Sequence, residues 1–242
     1  GERRFLYGSR RTKLAHQGAP DPAIYRHPNP KADEDLPGAE ARNLNRAYPG
    51  RPDGRLTEQI AHAVTQLIVR ERVTLALDLH EASPEYPVVN TIVAHQRAMD
   101  LAALAAVRLQ EAGVEIGLEE SPRALGGLSH REWGDATGAY AVLMETTSPI
   151  QGRLRGRTDG ALAVSGRDRF YEAASRRNRL SVPFGPEGWP IAVRVARHLA
   201  GALAFAASLG DLDPASAIEL SGVPGYEEVI ARGLGPLMEP ER

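Results

Sequence analysis

The chain contains no cysteine, which removes disulfide scaffolds, thiolate zinc sites, iron–sulfur clusters and cysteine nucleophiles in one step. Any metal must then be held by His, Asp or Glu. There is no charge imbalance to speak of: Lys and Arg total 29 against 31 Asp and Glu, for a net charge of −2. That balance gives no long-range attraction to phosphate, so no nucleic-acid partner is expected. No segment approaches the roughly 20 apolar residues that span a bilayer, and no membrane partner is expected either. Residues 1 to 4 do not read as a signal peptide. Internal repeats and low-complexity linkers are also missing.

What is present is an ordinary globular mixture, 42% hydrophobic and 25% charged in 242 residues, enough for one substantial core. Residues 1 to 55 are rich in Pro, Gly, Arg and Asp and read as connected loops. From Thr57, the expected N-cap, Ile60, Ala61, Val64, Leu67 and Ile68 recur at helical spacing to about Glu71. Val73, Leu75, Leu77 and Leu79 then alternate with Thr74, Ala76 and Asp78 up to His80, as in a buried strand. A second strand is expected over 88–94, a helix over 96–112, and a third strand from Tyr140 to Met144 ending at Glu145. The Gly-rich stretch 125–138 reads as an active-site loop or a short edge element. A weak helical patch follows at 169–177 and an apolar helix at 189–209. The short arginine clusters, Arg10 with Arg11 and Arg153 with Arg155 and Arg157, read as solvated loops.

Strands alternating with helices imply an α/β layered fold, with helices packed on a mixed, largely parallel sheet. Ligands in such folds bind at the carboxyl ends of strands, which singles out His80 and Glu145. A neutral imidazole is a common zinc ligand, and a carboxylate nearby can act as a general base. Asp78, two residues earlier on the same strand face, is placed to orient the imidazole. The segment Arg42-Asn43-Leu44-Asn45-Arg46-Ala47-Tyr48-Pro49-Gly50 carries the planar fork of arginine beside orientable amides, a combination that suits a carboxylate. Taken singly, each feature also has a bland reading: a hydrogen-bonded boundary histidine, a turn residue, a Pro-Gly turn. Gly127-Leu128-Ser129-His130-Arg131-Glu132 places Ser beside His, but no Gly-x-Ser-x-Gly elbow occurs in the chain. His130 is expected at a pocket rim or in a loop, and His16 and His27 are expected to be exposed.

The order of these pieces says more than any one of them. Asn43-Leu44-Asn45-Arg46-Ala47-Tyr48-Pro49-Gly50, then a helix, then Leu77-Asp78-Leu79-His80, then a strand ending in Glu145, resembles the zinc carboxypeptidase superfamily, in particular its succinylglutamate desuccinylase and aspartoacylase branch. The resemblance covers about residues 28 to 150. It implies that His80 is a zinc ligand, that Asn45 and Arg46 bind a substrate carboxylate, and that Glu145 is the catalytic base and acid. It implies Zn2+ as cofactor and an acyl amino acid or a peptide as substrate. Asn43 stands where the family has Asp, and Tyr48 where it has Phe.

The family's other zinc ligands come from a His-x-x-Glu pair early in the domain, and none of the seven histidines here is followed by Glu three positions on. That pair is expected upstream of Gly1. Residues 1 to 210 are accordingly expected to form an N-terminally incomplete catalytic domain, with the first strands missing and 211 to 242 as a tail. A metal-free, catalytically silent module that binds a carboxylate or a peptide is the alternative.

Overall fold

The computed structural model describes residues 11–29 and 35–238. The first four residues, Arg10, Pro30 and the last four residues of the tail lie outside that range. The described part of the first 55 residues is mostly loop and 3₁₀ turn, with one small antiparallel pair, β1 (Ile24–Tyr25) and β2 (Leu36–Pro37). The segment that carries Asn45 and Arg46 is a 3₁₀ turn at Leu44–Arg46, capped by the Asn43 side chain, which accepts a hydrogen bond from the Asn45 amide at 3.2 Å.

Helix α1 (Leu56–Arg70), with Arg55 at its N-cap, begins two residues earlier than the sequence pattern indicates. The Arg55 amide is the orphan donor at its start, satisfied by the Glu58 carboxylate at 2.8 Å. Thr57 is therefore inside the helix rather than its cap, and its buried hydroxyl pairs with that of Thr12 at 2.7 Å. The apolar stripe of α1 is buried in part, with Leu67 left 48% exposed. Ala61 and Ile68 are buried in one cluster with Ala76, Ala141 and Trp133.

Four strands form the main sheet: β3 (Leu75–Ala82), β4 (Thr91–Ala94), β5 (Gly117–Glu120) and β6 (Tyr140–Thr147), in the order β3-β6-β4-β5. β3 runs parallel to β6 and β4 parallel to β5, while β4 and β6 are antiparallel. The sheet is thus mixed and mostly parallel, and helices flank it on both faces. On one face α1 and α3 (Ser129–Ala136) pack over Ala76, Ala139 and Ala141. On the other, α2 (Met99–Glu111) and α6 (Ile191–Leu212) cover Ile92, Val142 and Met144 with Leu101, Leu109, Phe205 and Leu209. α6 meets β6 so closely that a Cβ on Gly201 would collide with the Met144 sulfur.

Several sequence expectations are corrected. β3 is an edge strand rather than a buried one. No strand among the described residues pairs with its outer edge, and Leu79 is 46% exposed. Hydrophobic alternation reports which face a residue takes, not where its strand sits in a sheet. The stretch 125–138 contains helix α3, concealed because most of its buried side chains are polar. α6, with 22 residues and a mean hydropathy of 1.2 in its most apolar window, is long and apolar enough by length and composition to cross a membrane. Half of that window is buried inside the protein, and Arg194 and Arg197 are buried with it, so it is built as a core helix. His16 is exposed as expected, but His27 is buried.

Beyond β6 the chain folds back under the strand ends. Asp159 caps α4 (Gly160–Ser165) by accepting from the Leu162 amide, and Asp168 caps α5 (Arg169–Ser175) by accepting from the amides of Phe170 and Tyr171. In the tail, α7 (Tyr226–Arg232) buries Val229 and sets Tyr226 against the α2–α6 core, and α8 (Gly235–Met238) follows.

Candidate active site

Successive strand residues point to opposite faces, and this alternation sorts the chemistry at the ends of β3 and β6. In the parallel register His80 lies opposite Glu145 and Asp78 opposite Leu143. Ala76 and Ala141 belong to the α1–α3 face, so Asp78, His80, Leu143 and Glu145 project on that face too. Both strands run two residues beyond His80 and Glu145, to Ala82 and Thr147, so these two side chains lie just inside the strand ends rather than at them.

The Nε2 of His80 is 3.0 Å from Asp78 Oδ2, and its Nδ1 is 3.7 Å from Glu145 Oε1. Burial alone would raise the Asp78 carboxyl, yet the adjoining imidazole outweighs burial and holds it below the usual carboxylate range. Asp78 therefore stays ionised beside the ring, and the arrangement fixes the ring plane with Nδ1 on the Glu145 side.

All four residues singled out from the sequence, Asn45, Arg46, His80 and Glu145, line one cavity of about 460 Å³. The 3₁₀ turn brings the first two to it. Asn45 Oδ1 accepts from the Ser129 amide at 2.7 Å, which ties the turn to the start of α3 and commits the amide's oxygen. Its NH₂ group is the end left to act as a donor. Arg46 Nη1 donates to the Asn45 carbonyl at 2.6 Å. The close fit of this turn depends on Gly127, which has φ +76°. A Cβ there would come within 2.5 Å of the Arg46 carbonyl oxygen. Asn43 donates from Nδ2 to Glu40 at 2.6 Å while its Oδ1 accepts from Asn45. An Asp at that position would repel Glu40, so the departure from Asp is matched by its neighbour.

The cavity is also lined by His130, expected at a pocket rim or in a loop, and by Glu81, to which the sequence motifs assign no role, and its wall is braced by Glu85. His130 sits in the first turn of α3, 4% exposed, with Nδ1 2.7 Å from Ser121 Oγ. Burial, reinforced by the nearby His80, pushes its pKa down to about 4. Glu81 faces α6, where Arg194 pairs with one carboxylate oxygen and Ser148 donates to the other at 2.8 Å. Glu85 accepts from the amides of Arg153 and Leu154 and from the Tyr171 hydroxyl, pinning the segment with Gln151 and Gly152 along the cavity wall. The Ser-His pair at 129–130 was a visible signal for the first. No local signal marks the other two, whose partners are distant in sequence.

A hydrolytic zinc takes three protein ligands and leaves a fourth position open. Here His80 is one imidazole whose other nitrogen is engaged by Asp78, and no three His, Asp or Glu side chains among the described residues form a metal-binding group. The described residues do not make a zinc site by themselves.

The family model of the succinylglutamate desuccinylase/aspartoacylase catalytic domain matches residues 28–154, more than half of the chain. The chain belongs to this family. No curated protein and no solved structure matches it. The matched span starts just before Asn29, whose amide donates to the Glu132 carboxylate at 2.9 Å. It closes at Leu154, where Glu85 anchors the cavity wall. Membership in this family supports a deacylase-type hydrolase in general terms.

Proposed function

We propose that the cavity is the substrate site of an amide hydrolase acting next to a carboxylate-bearing group, on an N-acyl amino acid or the carboxyl-terminal end of a peptide. The observation that carries this reading is the β3–β6 register, which sets His80 opposite Glu145 in a cavity shared with Asn45 and Arg46. Arg46 and the Asn45 NH₂ group bind the substrate carboxylate, a pairing suited to a planar fork. Glu145 takes the proton of the attacking water as its oxygen adds to the acyl carbonyl. It then returns that proton to the nitrogen as the C–N bond breaks, giving a carboxylate and an amine. Asp78 and His80 hold the strand end that positions Glu145.

Zinc enters this reading only as an ion shared between His80 and ligands outside the described residues, and no step is assigned to it. The free outer edge of β3, beside His80, leaves room for a further strand there.

The test is amine release from N-succinylglutamate, N-acetylaspartate and short peptides, with and without added zinc. Release from an acyl amino acid that is lost in Glu145→Gln, with binding retained, supports the hydrolase. Binding with no release under any of these conditions overturns it in favour of a silent module that holds a carboxylate.

A further inference from the structure

Ser121 is 1% exposed, and the one partner its hydroxyl has among the described residues is His130 Nδ1. Its amide is spent on the Ala94 carbonyl at 2.8 Å, and its carbonyl receives Arg131 Nη1 at 3.2 Å. The hydroxyl therefore has a single choice to make. If it accepted from Nδ1–H, its own hydrogen would be buried with no acceptor. If it donates to a bare Nδ1, only an oxygen lone pair goes unused, which is the lesser cost. Donation by Ser121 leaves the proton of the neutral ring on Nε2.

The ring as a whole lines the same cavity as Asn45, Arg46, His80 and Glu145. With Nδ1 turned to Ser121, Nε2 is the nitrogen that addresses the cavity. Burial, followed by the neighbouring His80, Arg131 and Arg46, outweighs the pull of Asp78 and disfavours the charged form of the ring. The result is a donor that remains a donor at neutral pH without carrying charge, on a helix start already tied to the recognition turn through Asn45 and the Ser129 amide.

We propose that His130 is a substrate-contacting residue that donates its Nε2 hydrogen to an oxygen of the bound substrate, and that Ser121 is the positioning residue that sets its tautomer. The proposal rests on the reading of the cavity as a carboxylate-directed substrate site. It adds a neutral donor to the charged fork of Arg46, so the site takes a ligand with at least two separated oxygen acceptors, as in an acylated acidic amino acid.

The experiment uses the 242-residue chain and N-succinyl-L-glutamate as the probe, with nitrogen NMR of the histidine rings and calorimetric titration. The His130 ring is expected to show a bare Nδ1 and a protonated Nε2, and the Nε2–H signal to move on adding the probe. Ser121→Ala is expected to populate both tautomers. His130→Leu is expected to weaken probe binding about tenfold, whereas His130→Gln, which keeps an amide donor near the same place, recovers most of it. A protonated Nδ1, a probe affinity unchanged in His130→Leu, or equal losses in the Leu and Gln variants would each overturn the assignment. If the wild-type chain binds the probe and Arg46→Met weakens it while His130→Leu does not, the inference about His130 fails and the carboxylate site stands. If the wild-type chain does not bind the probe, both fail.

Discussion

The two faces of β3 and β6 carry nearly the same chemistry to opposite ends. On the α1–α3 face the strands present His80 and Glu145 to the cavity, with Asp78 on the other nitrogen of the His80 ring. On the α6 face, one residue along, they present Glu81 and Thr146, and there every group is met by the helix. Arg194 pairs with Glu81 and also donates to the Ala163 carbonyl, and Arg197 donates to Thr146 Oγ1 at 3.1 Å. Both carboxylates line the cavity, but Glu81 is engaged by a buried cation and a hydroxyl and is part of the frame. Glu145, set beside a histidine, is the one that the proposed hydrolase uses. The difference is made by what lies across from the strand, since Glu81 and Glu145 are alike as residues and sit one step apart in register.

The largest expected effect tests this contrast directly. Glu145→Gln should lower amide turnover by about a thousandfold, the range of a general base, while the folded protein and its affinity for N-succinylglutamate persist. Glu81→Gln should do the reverse, lowering stability while leaving turnover per folded molecule nearly intact. Equal loss of turnover in both variants would erase the distinction between the faces. Next in size, Arg194→Leu leaves Glu81 without its cation and should cost about 3 kcal/mol in urea unfolding, as for other broken buried pairs. An unchanged unfolding midpoint would show that the α6 face is not holding the strand ends.

Arg46→Met addresses binding. Loss of a charge-assisted contact should weaken acidic acyl amino acids by ~10- to 100-fold, about 1.5–3 kcal/mol, and leave an uncharged amide analogue unaffected. Equal weakening of both ligands would mean that Arg46 shapes the turn rather than reading the carboxylate. Gly127→Ala comes lower still on the scale of function. The added methyl would press on the Arg46 carbonyl from a backbone with φ +76°, so a stability loss of about 1–3 kcal/mol is expected. The accompanying change should appear in the Michaelis constant rather than in the turnover number, and a change confined to turnover would contradict the picture of Gly127 as support for the recognition turn.

What the sequence discloses follows the same division. Period-2 alternation reveals the strand carrying Asp78 and His80, a continuous apolar run the strand that ends in Glu145, 3.6-residue spacing α1, and long apolar-rich runs α2 and α6, because each buries an apolar face and the pattern records it. β5 escapes because Gly117-Leu118-Glu119-Glu120 is a short edge strand with little apolar to bury. α3 escapes because six of its residues are buried and four of those, Ser129, His130, Arg131 and Glu132, are polar or charged. Their burial is balanced by partners outside the helix: Asn29 and the Gly127 amide for Glu132, the Ser121 hydroxyl for His130, the Ser121 carbonyl for Arg131. A helix held by hydrogen bonds to distant loops has no hydrophobic signature. The cavity inherits that limit, since Asn45 and Glu145 are legible by motif whereas the contact of His130 with Ser121, on which its proposed role rests, joins residues that no motif links.

The smallest effect concerns a histidine on the structural side of α3. His95 is 1% exposed, with Nε2 3.0 Å from Asp135 Oδ1 and Nδ1 accepting from the Arg97 amide at 3.2 Å. Arg131 and Arg97 both lie against this pair. Burial outweighs the attraction of Asp135, so the His95 pKa falls below its ordinary 6.5. The unfolded chain therefore binds a proton that the folded chain refuses as pH drops through 6.5, and stability must decrease there with a slope of at most ~1.4 kcal/mol per pH unit. Asp135, held low against burial chiefly by Arg131, adds its own loss in the same direction, but only once pH falls below the ordinary carboxylate value of 3.8. His95→Gln keeps a donor to Asp135 and cannot titrate, so its unfolding free energy should fall less steeply between pH 7 and 5 than that of the parent, while both converge in slope below pH 4. A parent and variant with parallel profiles across pH 7 to 5 would mean that His95 takes its proton as readily in the fold as out of it, and that Asp135 rather than burial governs the ring.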